Sequence, residues 1–128
     1  MLKKTSAIVL ALAFSVTMSA GSAMAGDAEA GAKYYKKKCK SCHGKLVEGG
    51  KHSAGPNLWG VTTHTAGKVE GFKKYSKGLA AADFMWTDEN LDKWLTKPKD
   101  FIPKAKMAVK VKKEADRANL IAYLKTAK

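Results

Sequence analysis

Residues 39–43 read Cys39-Lys40-Ser41-Cys42-His43 and hold both cysteines of a 128-residue chain. Two thiols three positions apart, followed at once by an imidazole, allow four chemistries: a disulfide, part of a metal site, a redox dithiol, or covalent attachment of haem. A closed zinc site needs four thiolate or imidazole donors. Beyond His43 the chain offers only His52 and His64, whose spacing is not that of a zinc-binding histidine pair. A thioredoxin-like dithiol follows a strand in a βαβ frame, whereas a lysine-rich helical pattern precedes this one. A plain disulfide leaves His43 without a role. Haem attachment uses all three side chains: Cys39 and Cys42 form thioethers to the two vinyl groups at one porphyrin edge, and His43 is held over the iron as its proximal ligand.

An iron held by one histidine has a sixth position to fill. Five methionines occur, and Met1, Met18 and Met24 fall in an N-terminal leader, which leaves Met85 and Met107. Met85 sits in Phe84-Met85-Trp86, an apolar cluster ahead of a capped helix, and reads as core filling. Met107 closes the stretch Phe101-Ile102-Pro103-Lys104-Ala105-Lys106-Met107, a loop stiffened by Pro103. It is the better sixth ligand, because soft sulfur suits an electron-transfer iron; His52 and His64 remain as alternatives.

The leader is Met1-Leu2-Lys3-Lys4, an apolar run over residues 7–16, and Ala23-Met24-Ala25. That is the form of a cleaved secretory signal peptide over residues 1–25, and its apolar run is short of the roughly 20 residues a membrane span needs. The mature chain is expected to begin near Gly26, to pass through the Sec route to the periplasm, and to form one domain over residues 26–128. Nothing beyond Gly26 is apolar enough to span a bilayer. A domain of this size buries a modest core, so a cofactor that serves as part of that core suits its length.

The chain has 24 basic and 11 acidic residues, a formal charge of +13. Loss of Lys3 and Lys4 with the leader leaves 22 against 11, or +11. Arg117 is the single arginine, and nucleic-acid binding would call for guanidinium groups among aromatics. A lysine surface on an exported protein instead steers it toward acidic protein partners.

These residues must be positioned by helices and loops, since no stretch reads as a convincing strand. Asp27 caps a first helix that runs to about Lys38 and delivers the cysteine pair. Residues 44–71 keep no period of 2 or 3.6 and form a long loop in need of something to pack against. A short helical piece falls within residues 75–82. Thr87-Asp88-Glu89-Asn90 caps a helix whose Leu91, Trp94 and Leu95 share a face, and Pro98 stops it. A last helix covers about residues 113–126, with Leu120, Tyr123 and Leu124 on one stripe.

Taken together, GDAEAGAKYYKKKCKSCH at 26–43, GPNLWG at 55–60, FIPKAKM at 101–107 and LIAYLK at 120–125 resemble class I c-type cytochromes. KVKKEADRANLIAYL is especially similar to bacterial cytochrome c2, and the set also resembles mitochondrial-type cytochrome c. The resemblance covers nearly all of residues 26–128. It implies an all-α cytochrome c fold, about three to five helices with long loops around one covalently bound haem c. It further implies that Pro56 offers its carbonyl to the His43 ring, that Gly31 and Tyr35 meet Leu120 and Tyr123, and that Tyr75 and Trp86 hydrogen-bond a haem propionate. Three positions depart from the family pattern: His64 stands where an arginine is usual, Ala105 replaces a propionate-bonding threonine, and Val109 replaces an aromatic.

The function implied is that of a soluble periplasmic one-electron carrier, not an enzyme, with His43 and Met107 on the iron. It would work between a quinol-oxidising complex and a terminal acceptor such as an oxidase or photosynthetic reaction centre. The alternatives are an electron-entry subunit of a larger oxidoreductase and a small peroxidase-like enzyme. Acidic redox partners would dock on Lys38, Lys40, Lys51, Lys99, Lys104, Lys106 and Lys112 around the haem edge, with the protein a monomer.

Overall fold

The computed structural model describes residues 26–128, and the leader expected over residues 1–25 lies outside them. Six α-helices follow in order: α1 (Ala28–Lys38), α2 (Lys40–His43), α3 (Lys77–Ala80), α4 (Asp88–Thr96), α5 (Pro98–Phe101) and α6 (Glu114–Lys125). A 3₁₀ turn at Val61–Thr63 stands alone in the long connection between α2 and α3. Among the described residues the only β-type pairing is an isolated bridge between Thr65 and Met85. Three of the helices are single turns, and these take the α count past five.

Helices α1 and α4 start where side chains satisfy the first free N–H groups, whereas α6 has no side-chain cap. The Asp27 carboxylate accepts from the backbone N–H groups of Glu29 and Ala30 at 2.9 and 3.2 Å. Glu29 in the first turn and Lys36, Lys37 and Lys38 in the last match the helix dipole of α1. Thr87 Oγ1 caps α4 through the Asn90 N–H at 3.2 Å. Leu91, Trp94 and Leu95 then face inward at i, i+3 and i+4. Pro98 ends α4 and also opens α5 at a first-turn position, where its missing N–H needs no partner.

The two ends of the described segment pack together. Helices α1 and α6 pack on each other, and Asp27 N–H donates to Asn119 Oδ1 at 2.8 Å. Gly31 is buried at the crossing; a Cβ there would run into the Asn119 carbonyl oxygen and come within 2.8 Å of Tyr123 Cβ. Tyr35 and Tyr123 meet edge to face with centroids 5.5 Å apart. Arg117 then joins α6 to two other segments: Nε donates to Asp92 Oδ1 on α4 at 2.6 Å, and Nη1 donates to the Val111 and Lys112 carbonyls at 3.0 Å each. With Val111 N–H on Leu95 O at 2.8 Å, this pins the chain just beyond Met107.

The irregular stretch after α2 is held by its own polar side chains. His52 Nδ1 accepts from Asn57 N–H at 3.0 Å, so its Nε2–H donates to Glu70 O at 2.9 Å. Asn57 Nδ2 donates to Lys45 O at 2.8 Å. Met85 corrects the sequence reading: it is 43 % exposed, not core filling. Its neighbours Phe84 and Trp86 turn inward and leave it on the outside of the bridge to Thr65, whose hydroxyl donates to its sulfur at 3.4 Å.

Candidate haem site

The cysteine pair falls where α1 gives way to the single turn of α2. Cys39 ends α1, and the N–H groups of Cys42 and His43 both donate to the Cys39 carbonyl, at 3.1 and 3.0 Å. A helical turn brings residues i and i+3 to one side, so both sulfurs are presented together. Gly44, at φ +71°, turns the chain away immediately afterward. Both thiols are free, Cys39 buried and Cys42 exposed. Burial, aided by the neighbouring Cys42, pushes the Cys39 thiol up to about 11.

His43 is fixed by the loop opposite. Its Nδ1 lies 2.7 Å from the Pro56 carbonyl oxygen; since a carbonyl only accepts, Nδ1 carries the proton and Nε2 keeps its lone pair. Burial lowers the His43 pKa, and the bond to Pro56 opposes that only in part. The ring is therefore neutral at pH 7, the state in which an imidazole binds a metal. Gly55 lets the loop come this close, because a Cβ there would stand 2.5 Å from His43 Cε1.

These groups open onto a cavity of about 340 Å³, bordered by Cys39, Cys42, His43, Pro56, Tyr75, Trp86 and Met107 together. Its remaining wall is mainly apolar, with Leu79 from α3, Leu91, Trp94 and Leu95 from α4, and Leu120 and Leu124 from α6. Met107 is the one thioether on the border among the described residues; Met85, His52 and His64 stand outside it. The loop that carries Met107 turns at Lys104, whose φ of +61° is the only positive value outside glycine among the described residues. Lys106 Nζ ties the same loop to the Lys74 carbonyl at 2.8 Å.

Of the seven lysines expected to ring the site, Lys38 and Lys106 border the cavity, while Lys40, Lys51, Lys99, Lys104 and Lys112 are exposed but do not. None of the seven joins any of the five ion pairs among the described residues, which fall on Lys33, Lys93, Lys97, Arg117 and Lys125. Lys74 also borders the cavity. Sequence reasoning passed over it, although it precedes the selected Tyr75. Among the described residues no carboxylate side chain is on the border.

The residues present fit haem. Two free thiols and an oriented, neutral imidazole border one largely apolar cavity, and a thioether and hydroxyl and indole groups share that border. Fold and site together define an all-α protein built around a covalently held haem. The chain belongs to the cytochrome c family, whose profile, described as "Cytochrome c", matches residues 28–128. It is 41 % identical over 104 residues to a cytochrome c of Euglena viridis, covering 80 % of this chain and 99 % of that protein. A cytochrome c of Theileria parva is 42 % identical over 103 residues, 80 % of this chain and 87 % of the other. The "cytochrome c-type cyt cy" of Rhodobacter capsulatus is 46 % identical over 102 residues, 79 % of this chain but 49 % of that longer relative. Cytochromes c bind haem c covalently, with its iron, and carry electrons.

Proposed function

We propose that this chain is a soluble, monomeric one-electron carrier of the periplasm. A single haem c would be held by Cys39 and Cys42, with His43 and Met107 as axial ligands. The observation that carries this reading is the shared cavity: both thiols, the oriented imidazole and the thioether border one space. Export after removal of residues 1–25 rests on the leader sequence. Among the described residues no helix is long and apolar enough to cross a membrane. The donor would be a quinol-oxidising complex and the acceptor an oxidase or a photosynthetic reaction centre.

Bound haem supplies the one-electron couple. The chain supplies the rest. His43 is held in one tautomer by Pro56, and the apolar walls keep water from the site. Two protein ligands leave no open position for a substrate, which favours transfer over catalysis. Lysines without acidic partners give the molecule a surface for acidic redox proteins.

The test is made on purified protein. It is expected to retain one haem through acid-acetone extraction, to cycle reversibly between its oxidised and reduced forms, and to leave peroxide unconsumed. Extractable haem overturns the attachment. Peroxide turnover by the oxidised form would favour the enzymatic reading, and purification in a fixed complex the electron-entry subunit.

A further inference from the structure

We propose that Lys74, and not His64, supplies the positive charge that faces a haem propionate. This inference rests on the haem reading above. In haem the two propionates leave from the porphyrin edge opposite the two vinyl groups, and so away from Cys39 and Cys42. Two carboxylates entering a largely apolar cavity need hydrogen-bond donors and a cation.

The cavity has donors with protons to spare. Tyr75 Oη accepts from Val69 N–H at 3.2 Å, which leaves its own O–H proton free to donate. Ser76 is buried, and its Oγ accepts from Leu79 N–H at 3.3 Å, with the same consequence. Trp86 is buried, with an indole N–H that can only donate. All three side chains border the cavity.

The cation is found by elimination among the charged residues on that border, Lys38, Lys74 and Lys106. Lys38 directly precedes Cys39, at the vinyl edge. Lys106 keeps its charge but spends one of its three N–H donors on the Lys74 carbonyl at 2.8 Å, which ties it to the segment beside Met107. Lys74 adjoins Tyr75 and Ser76, and its ammonium has neither a hydrogen bond nor an ion pair among the described residues. His64, at the position where the family pattern has its arginine, is exposed and stands off the border. The Lys106 bond also holds the Lys74 backbone against the methionine loop, and the exposed Lys74 side chain borders the cavity.

A cation beside a carboxylate keeps it ionised to lower pH and offsets its charge as seen from the iron. Its loss therefore lowers the reduction potential at neutral pH and raises the propionate pKa. The experiment compares Lys74→Met, Lys74→Gln, Lys74→Arg, His64→Gln and Lys36→Met in the holo-protein, reading the midpoint potential from pH 4 to 9. Covalent haem is checked first: its absence from the unmutated protein overturns the parent reading and is seen without any variant. With haem in place, Lys74→Met and Lys74→Gln are expected to lower the potential at pH 7 and to move its acid-side inflection up by about one pH unit. Lys74→Arg is expected to restore both, while His64→Gln and Lys36→Met leave both unchanged. Unchanged curves for the two neutral variants overturn the assignment, as does the same shift from His64→Gln or Lys36→Met.

Discussion

His43 has one ring nitrogen bonded to Pro56, as the family resemblance implied, and one left for a metal; the attachment motif itself was legible because it is local in sequence. The fate of a methionine was not, since exposure is decided by segments far apart. Met85 looks apolar in its tripeptide, yet the Thr65 bridge leaves it outside, whereas Met107 reaches the cavity. In the oxidised holo-protein, Met107→Ala is expected to abolish the weak red-edge sulfur-to-iron absorption band and lower the potential. Met85→Leu is expected to keep both, and loss of the band in that variant would reverse the assignment. Tyr35 gives a second prediction. Its hydroxyl donates to the Gly44 carbonyl at 2.9 Å just behind the cysteine turn, and burial, more than its neighbours, raises its pKa. A phenol whose folded pKa exceeds the unfolded value near 10 adds stability below pH 10, which is lost as pH rises above it. Tyr35→Phe is therefore expected to cost about 1 kcal/mol at pH 7 and to reduce the fall in stability above pH 10, read by denaturant unfolding at the two pH values.

Helices α1 and α4 could be read from their caps, α6 from its apolar stripe and α3 as a short piece within residues 75–82, but the single turns α2 and α5 could not, because four residues carry too little periodicity. Nor could the Arg117 bonds, which gather α4, α6 and the segment after Met107 from distant parts of the chain. Two changes probe the elements themselves. Gly31→Val would force a side chain into the α6 backbone at the Asn119 carbonyl. It is expected to cost 3 kcal/mol or more (roughly the upper range for overpacking) and to lower the yield of holo-protein. In the methionine loop, Lys104 holds a left-handed conformation that an L side chain resists. Lys104→Gly is expected to stabilise the holo-protein by about 1 kcal/mol and to slow the binding of added imidazole to the oxidised form. Faster imidazole binding would show that Lys104 does not strain that loop.

On the scale of the whole molecule, the sequence made the excess of lysine plain but not its distribution. Among the described residues the five ion pairs lie on Lys33, Lys93, Lys97, Arg117 and Lys125, and leave the lysines flanking the attachment turn and the methionine loop without an ion pair. An unpaired patch of this kind raises encounter rates with an acidic partner by about one to three decades at low salt, fading as the Debye length shrinks to about 8 Å. Charge reversal at Lys38, Lys99 or Lys106 is expected to slow electron transfer to an oxidase or reaction centre and flatten its salt dependence, while reversal at Lys77 or Lys128 changes little. Stopped-flow rates across ionic strength decide it, and equal effects at both sets would remove the docking face.

The pairing of α1 with α6 also sets an order of assembly. Asp27 and Asn119 touch across 92 positions, and Leu120 and Leu124 of α6 close one wall of the cavity. As the chain emerges N-terminus first, Cys39, Cys42 and His43 are therefore available some 80 residues before that wall exists. The site is open to a loading machinery while the polypeptide is still being completed, and the arrival of the last twelve-residue helix seals it.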